Sequence, residues 1–217
     1  MTASKRTKRK SAEQRDLTPE TIRAAALRLI DREGLDGFSI RKLGADLGCE
    51  GMAVYWYYPS KDALFDAVVE LLMKDVAASL EAEPADWVAA LRELANGYRR
   101  IAHDHPKAFA LLATRRFASE GTYGFLERLF ELARRHGIDD RTTARFYRVV
   151  SSYCNGFALN ELAAPRGQQD PAGPLRKKFT RVAAVSEWLE PRYSDDVFSF
   201  GLELQLDALA QMTQAAR

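Results

Sequence analysis

The chain has 217 residues, 47% of them apolar, and its 32 basic and 30 acidic side chains leave a formal net charge of +2. That is enough apolar material to bury a core, which excludes a disordered chain, and its apolar stretches are broken by charge well short of the ~18–20 residues of a membrane span. The basic N-terminus has no apolar region behind it, so cytoplasmic residence is expected; Cys49 and Cys154 stand far apart without a ligand cluster, suggesting neither a disulfide framework nor a zinc site.

Residues 1–17 read as a basic arm, in which Lys5, Arg6, Lys8, Arg9, Lys10 and Arg15 meet only Glu13 and Asp16. Two readings of it stay open, a solvated tail or a segment lying along phosphates. Beyond it, strand and hairpin signals are nearly absent and a helical period dominates, so the expected fold class is all-α. Thr18 is a cap candidate with Pro19 behind it, and Ile22, Ala25, Ala26, Leu29 and Ile30 form one stripe that Gly34 ends. "SIRKLGADLG" is a short second helix, capped by Ser39, with Ile40, Leu43 and Leu47 as its apolar face. A third runs from Glu50 to about Tyr57, where Pro59 stops it.

Ser60 caps a long fourth helix with Leu64, Ala67, Val68, Leu71 and Leu72 on one side. Further helices are expected from about Trp87 to Ala102, from Pro106, from Thr122 to His136, and from Asp139 or Asp140 to Leu162. "AAPRGQQDPAGP" is a flexible loop, and two last helices follow, about Leu175–Leu189 and Asp195–Ala215. Short helices joined by "LGCEG" have the sequence shape of a helix-turn-helix, in which Gly48 supplies the left-handed backbone that the turn needs.

At this point "FSIRKLGADLGCEGMAVYWYYPSKDAL" resembles the DNA-binding region of the TetR family of bacterial repressors, most strongly over residues 18–72. The tetracycline-repressor type is the nearest likeness, through "RKL", "LG", "E" and "YW" in the same register. The resemblance implies an N-terminal helix-turn-helix DNA-binding domain over residues 18–63 and a C-terminal helical ligand-binding and dimerisation domain over 64–217. It further implies a ligand-responsive transcriptional regulator, a homodimeric repressor released from a palindromic double-stranded operator by a small apolar or aromatic effector, without a cofactor or a membrane partner. The rivals are a helical protein-interaction module that does not bind DNA and an activator of the same fold. Catalysis is not supported, because no nucleophile elbow, paired carboxylates or cofactor fingerprint stands in the sequence.

Carried over by position, the resemblance puts Ser39, Arg41, Tyr55, Tyr57 and Lys61 on the DNA, mainly at phosphates. Gly51, Met52 and Ala53 fall at base-reading positions where the tetracycline repressors have glutamine, proline and threonine. Gly51 and Ala53 lack side-chain donors, so readout is expected from Arg41, Glu50 and backbone groups, with Met52 and Ala53 against thymine methyls. Of the four successive aromatic residues Tyr55–Tyr58, Trp56 is expected to turn inward, while Tyr55 and Tyr57 offer hydroxyls to phosphates.

In the body, "HPKAF" and the "GFALNE" that closes helix eight resemble the tetracycline-repressor C-terminal domain. They imply an effector pocket lined by Leu94, Tyr98, His105, Phe109, Leu112, Phe117 and Phe125. The implied dimer interface takes Phe146, Val150, Tyr153 and Phe157 from helix eight and Phe198, Leu202, Leu206 and Leu209 from the last helix, with Gly156 admitting a close partner. Ala77 matches the drug-contacting histidine of the tetracycline repressors, so a magnesium-bound drug is not expected. His103 and His105, two residues apart, do not face one another as metal ligands would.

Overall fold

The computed structural model describes residues 17–79, 84, 86–115, 119–163 and 178–215. The basic arm up to residue 16, most of the "AAPRGQQDPAGP" loop and Phe117 lie outside the described residues. Regular structure among the described residues is helical throughout: α1 (Pro19–Gly37), α2 (Ile40–Leu47), α3 (Gly51–Val54), α4 (Lys61–Ser79), α5 (Trp87–Asp104), α6 (Phe109–Thr114), α7 (Glu120–Arg135), α8 (Asp140–Ala163), α9 (Thr180–Ser186) and α10 (Ser194–Ala215), with two short 3₁₀ turns between the last two. None of these helices is long and apolar enough to cross a membrane. The chain forms two compact units, one from Met1–Asp75 with Asp104–Phe125, the other from Val76–His103 with Leu126–Arg217.

In the first unit the predicted caps are in place. Thr18 and Thr21 close a reciprocal capping box at the start of α1, the Thr21 N–H donating to Thr18 Oγ1 at 3.2 Å and the Thr18 N–H to Thr21 Oγ1 at 2.9 Å. Ser39 Oγ accepts from the Lys42 N–H, and Ser60 Oγ from the Ala63 N–H. α1 kinks at Gly34 and closes with one more turn before Phe38. Ile22, Leu29, Ile30, Leu43, Val54, Leu64 and Val68 are wholly removed from solvent, which makes the apolar stripes read from the sequence the core of this unit. Two boundaries differ from expectation. α3 is a single turn, Gly51–Val54, and Tyr55–Tyr57 continue as a turn in which the Tyr57 and Tyr58 N–H groups both reach the Val54 carbonyl. α6 begins at Phe109, because Pro106–Ala108 are spent on a turn closed by the Phe109 N–H to the His105 carbonyl at 2.8 Å.

In the second unit α10 packs along α8. Phe198 stacks on Tyr153 and meets Phe157 edge-on, and the Tyr153 hydroxyl donates to the Phe198 carbonyl at 2.9 Å. This corrects part of the expected dimer face. Phe198, Leu202, Leu206 and Leu209, together with Val150 on α8, are buried within their own chain, while Phe146, Tyr153 and Phe157 are half-buried. The reason is that α10 is apolar on two sides, and its inner stripe is consumed by α8. Outward stand Val197, Phe200 and Leu204 on α10 and Val149 and Leu159 on α8. Phe179, Val182, Val185, Trp188 and Leu189 around α9 are exposed as well.

The closing motif of α8 has a physical explanation here. Arg99 of α5 grips Glu161 with two bonds, Nε to Oε2 at 2.8 Å and Nη2 to Oε1 at 2.5 Å, and reaches Asp195 with Nη2 at 2.8 Å. Its guanidinium lies 4.7 Å from the Phe198 ring centroid and 5.7 Å from that of Phe157. Burial pushes the Glu161 carboxyl up, but Arg99 and then His103 outweigh it and hold the group below its ordinary value of 4.5. A carboxyl depressed in the fold contributes stability above its unfolded value and loses it as pH falls through the folded value. The expected outcome is that thermal stability drops as pH falls below about 4.5, and that Glu161→Gln flattens this part of the profile; equal slopes in both proteins would remove Glu161 from the account.

Candidate nucleic-acid interface

The helix-turn-helix is built around backbone contact. Gly48 closes α2 in the left-handed region, at φ 70° and ψ 25°, as the turn requires. α2 and α3 cross at a pair of glycines: a Cβ on Gly44 would lie 2.8 Å from the Gly51 nitrogen and 2.9 Å from the Cys49 oxygen, and a Cβ on Gly51 would lie 3.1 Å from the Ile40 carbonyl oxygen. Gly51, expected at a base-reading position, therefore has its Cα side against α2, so its absent side chain serves the helix crossing. Nothing in the pattern of α3 itself reports that, because the atoms it makes room for belong to Ile40 and Arg41 on the preceding helix.

The next residues separate into an inner and an outer set. Val54 is fully buried, and Tyr58 turns back so that its hydroxyl donates to the Pro19 carbonyl at 2.9 Å. Between them Tyr55, Trp56 and Tyr57 face solvent, 38%, 89% and 41% exposed, and Met52 is 69% exposed. Trp56 does not turn inward: the i and i+4 places on this turn are taken by Val54 and Tyr58, and the ring between them has only the outside left. Sequence reading missed it because four aromatic residues in a row carry no period.

Around this face the structure places the other expected DNA residues. Arg41 and Glu50 are exposed, and Ala53 is partly exposed. The Ser39 oxygen, already accepting from Lys42, keeps its own proton for a further acceptor. Lys61, at the first turn of α4, holds its ammonium 5.0 Å from the Phe65 ring centroid and 5.3 Å from that of Phe38, with the rest of the side chain exposed. Phe38 immediately precedes Ser39, and its ring meets Phe65 edge-on at 5.1 Å. Two nearby cations are neutralised within the unit, Arg32 by Asp46 at 2.8 Å and Lys42 by Glu33. Exposed rings and hydroxyls at Met52–Tyr57, and exposed Arg41 and Lys61 on the helices before and after that segment, are the kinds of group that meet phosphate oxygens and base edges.

The residues expected to line an effector pocket are distributed over both units. Leu94 and Tyr98 of α5 belong to the second, where the partly buried Tyr98 hydroxyl donates to Asn155 Oδ1 at 3.1 Å and desolvation raises its pKa far above the ordinary tyrosine value. His105, Phe109, Leu112 and Phe125 belong to the first, with Phe109, Leu112 and Phe125 buried. His105 Nδ1 is 2.7 Å from Asp31 Oδ2 at the end of α1. Among the described residues no group of three histidine, cysteine or acidic side chains could hold a metal ion.

Comparison with known proteins covers most of this architecture. Residues 22–68 match the family model "Bacterial regulatory proteins, tetR family", and residues 81–213 match "Tetracyclin repressor-like, C-terminal domain". The chain is 29% identical over 206 residues to the tetracycline repressor protein class D of Escherichia coli, covering 90% of this chain and 94% of that protein. Among solved structures it is similar to a possible TetR family transcriptional regulator from Streptomyces coelicolor A3(2), with TM-score 0.75 and 27% identity over 92% of this chain and 100% of that one. It is also similar to a TetR variant from Acinetobacter baumannii AYE in complex with minocycline, with TM-score 0.70 and 25% identity over 91% and 99% of the two chains.

Proposed function

The chain belongs to the TetR family of bacterial regulatory proteins and is a DNA-binding transcriptional regulator, and on that premise we propose that it is a homodimeric repressor, released from a palindromic operator by a small apolar or aromatic effector. One observation carries the DNA side of this reading: Met52, Tyr55, Trp56 and Tyr57 are exposed together on a segment whose packing Val54 and Tyr58 already complete. Exposed rings of that size suit a partner, and their hydroxyls, with Arg41 and Lys61 exposed on the adjoining helices, suit a phosphate backbone. The proposed division of labour gives Ser39, Tyr55, Tyr57 and Lys61 to phosphates, and Arg41, Glu50, Met52 and Ala53 to base edges, with Gly51 contributing backbone alone. Functionally, residues 18–63 are the DNA-binding part and 64–217 the effector and dimer part.

Tyr55→Phe tests the phosphate role. A hydrogen bond to a charged oxygen is worth about 1.5–3 kcal/mol, so binding is expected to weaken roughly tenfold or more on every sequence alike. Anisotropy titrations against a panel of single-base operator variants measure this, and a loss confined to certain base pairs would contradict it.

The dimer is proposed on the outward stripes, Val149, Ser152, Gly156 and Leu159 of α8 with Val197, Phe200 and Leu204 of α10. Gly156 supports this, since a Cβ there would meet nothing within 4 Å of its own chain, which leaves the α8 surface open to close approach by a second copy. Two such protomers would set their α3 turns about 34–36 Å apart, one turn of DNA. The effector is proposed to contact α5 at Leu94 and Tyr98, an apolar surface with one polar handle. Its aromatic class is suggested by the minocycline held by the Acinetobacter baumannii relative. Titrating a labelled operator complex with planar polycyclic compounds tests the reading: release by at least one of them, reduced by Tyr98→Ala, is expected. A compound that binds the protein yet leaves the complex intact would contradict the coupling of effector to DNA.

A further inference from the structure

Arg115 closes α6, and its guanidinium bonds to the first two turns of α4. Nε donates to Asp66 Oδ1 at 2.8 Å, Nη1 and Nη2 both reach Asp62 Oδ1 at 3.2 Å, and Nη2 also reaches the Asp62 carbonyl oxygen at 3.1 Å. Its side chain is only 23% exposed, whereas that of Asp62 is 82% exposed. The guanidinium stands 5.7 Å from the centroid of the Phe65 ring, the same ring that holds the Lys61 ammonium at 5.0 Å. One aromatic ring thus neighbours two cations, and it also meets Phe38, which leads directly into Ser39 and α2.

We infer that Arg115 is a positioning residue for DNA binding: it fixes the start of α4 through Asp62 in the first turn and Asp66 in the second, and so sets where Lys61 meets a phosphate. The inference rests on the DNA-binding reading above but adds a residue that touches no DNA. The physical argument is about order. Lysine is a point charge on a flexible stem, and a phosphate contact from it is only as well placed as the helix turn that carries it. A lone exposed ion pair would hold that turn weakly, but a planar fork bonded to two carboxylates and a backbone oxygen at once holds it in one geometry. The carboxylates are anchors here, and the same guanidinium offsets one of their two negative charges.

The test compares Arg115→Ala, Lys61→Ala and the double variant for affinity to the DNA fragment that the unaltered protein selects, over a range of salt. Arg115→Ala is expected to lower affinity about as much as Lys61→Ala and to make the salt dependence shallower by about 0.9 in log–log slope, one phosphate's worth; the double variant is expected to be no worse than either single one. Losses that multiply, or an unchanged salt slope, would overturn the inference, since a merely structural role leaves the slope alone. Asp62→Asn with Asp66→Asn is expected to weaken binding too; tighter binding would reduce Arg115 to charge balance and overturn its positioning role. Hydrogen exchange without DNA reads the same point independently of the DNA-binding reading. Faster exchange at Phe65 and Asp66 in Arg115→Ala supports the positioning, and unchanged exchange contradicts it even where no DNA fragment is selected.

Discussion

Phe200→Asp combined with Leu204→Asp is expected to make the protein monomeric and to lower its operator affinity about 10²–10⁴-fold, with the fold intact. The two side chains are 66% and 56% exposed, so carboxylates there cost the isolated chain little. In the proposed dimer each is buried against a second copy, and burying such a side chain is worth about 1.5–3 kcal/mol. A two-fold interface counts every substitution twice, and a buried unpaired carboxylate adds its desolvation cost. The loss on DNA follows from linkage: two half-sites held together bind about 10²–10⁴ more tightly than one. Sedimentation and operator titration measure both effects. A variant that stays dimeric would move the interface elsewhere, and one that is monomeric yet binds DNA as before would show that dimerisation does not support operator binding. Leu206→Ala is the contrast: Leu206 is fully buried, so about 2–5 kcal/mol of stability is expected to be lost without a change in the monomer–dimer balance of the folded protein.

Gly44→Val is expected to remove DNA binding by a different route. Any Cβ at this position falls within 3 Å of three backbone atoms of the Cys49–Gly51 segment, and none of them can swing aside as a side-chain tip could. Either α2 and α3 separate or the first unit loosens, at a cost of about 1–3 kcal/mol. For a chain of this size each kcal/mol lowers the melting temperature by about 2–4 °C. α3, proposed above to meet the bases, moves with the crossing, so specific binding is expected to fail even where most of the protein remains folded. Gly51→Ala, with its nearest contact at 3.1 Å, is expected to be milder. Unchanged melting and binding in Gly44→Val would show that the helix crossing is looser than its geometry implies.

These two substitutions also mark where the sequence could be read and where it could not. Thr18, Ser39 and Ser60 announce their helices because a cap is local chemistry, bonding to an N–H three residues on. Gly48 announces its turn for the same reason. The stripe of α1 needs one face buried, and one face is what its period shows. α10 has two apolar faces, and a period cannot say which of them goes to α8 and which outward, so Phe198, Leu202, Leu206 and Leu209 were natural candidates for a partner and are in fact core. Trp56 lies in a stretch of one turn, too short for any period to orient it. Gly51 and Arg115 depend on atoms that only the fold brings near, Ile40 and the Asp62–Asp66 turn, and no local pattern encodes them. The proposed DNA contacts were legible mainly through resemblance, and the structure adds that Tyr55, Trp56 and Tyr57 are exposed.

The central claim is that a dimer of this chain presents two such faces to one palindrome. Selection of bound fragments from a random duplex DNA pool, at two salt concentrations, tests it most directly. The account predicts an enriched palindrome whose half-sites lie about one helical turn apart and whose binding weakens steeply as salt rises. Recovery of no common sequence by folded, dimeric protein, or binding that salt leaves unchanged, would contradict it.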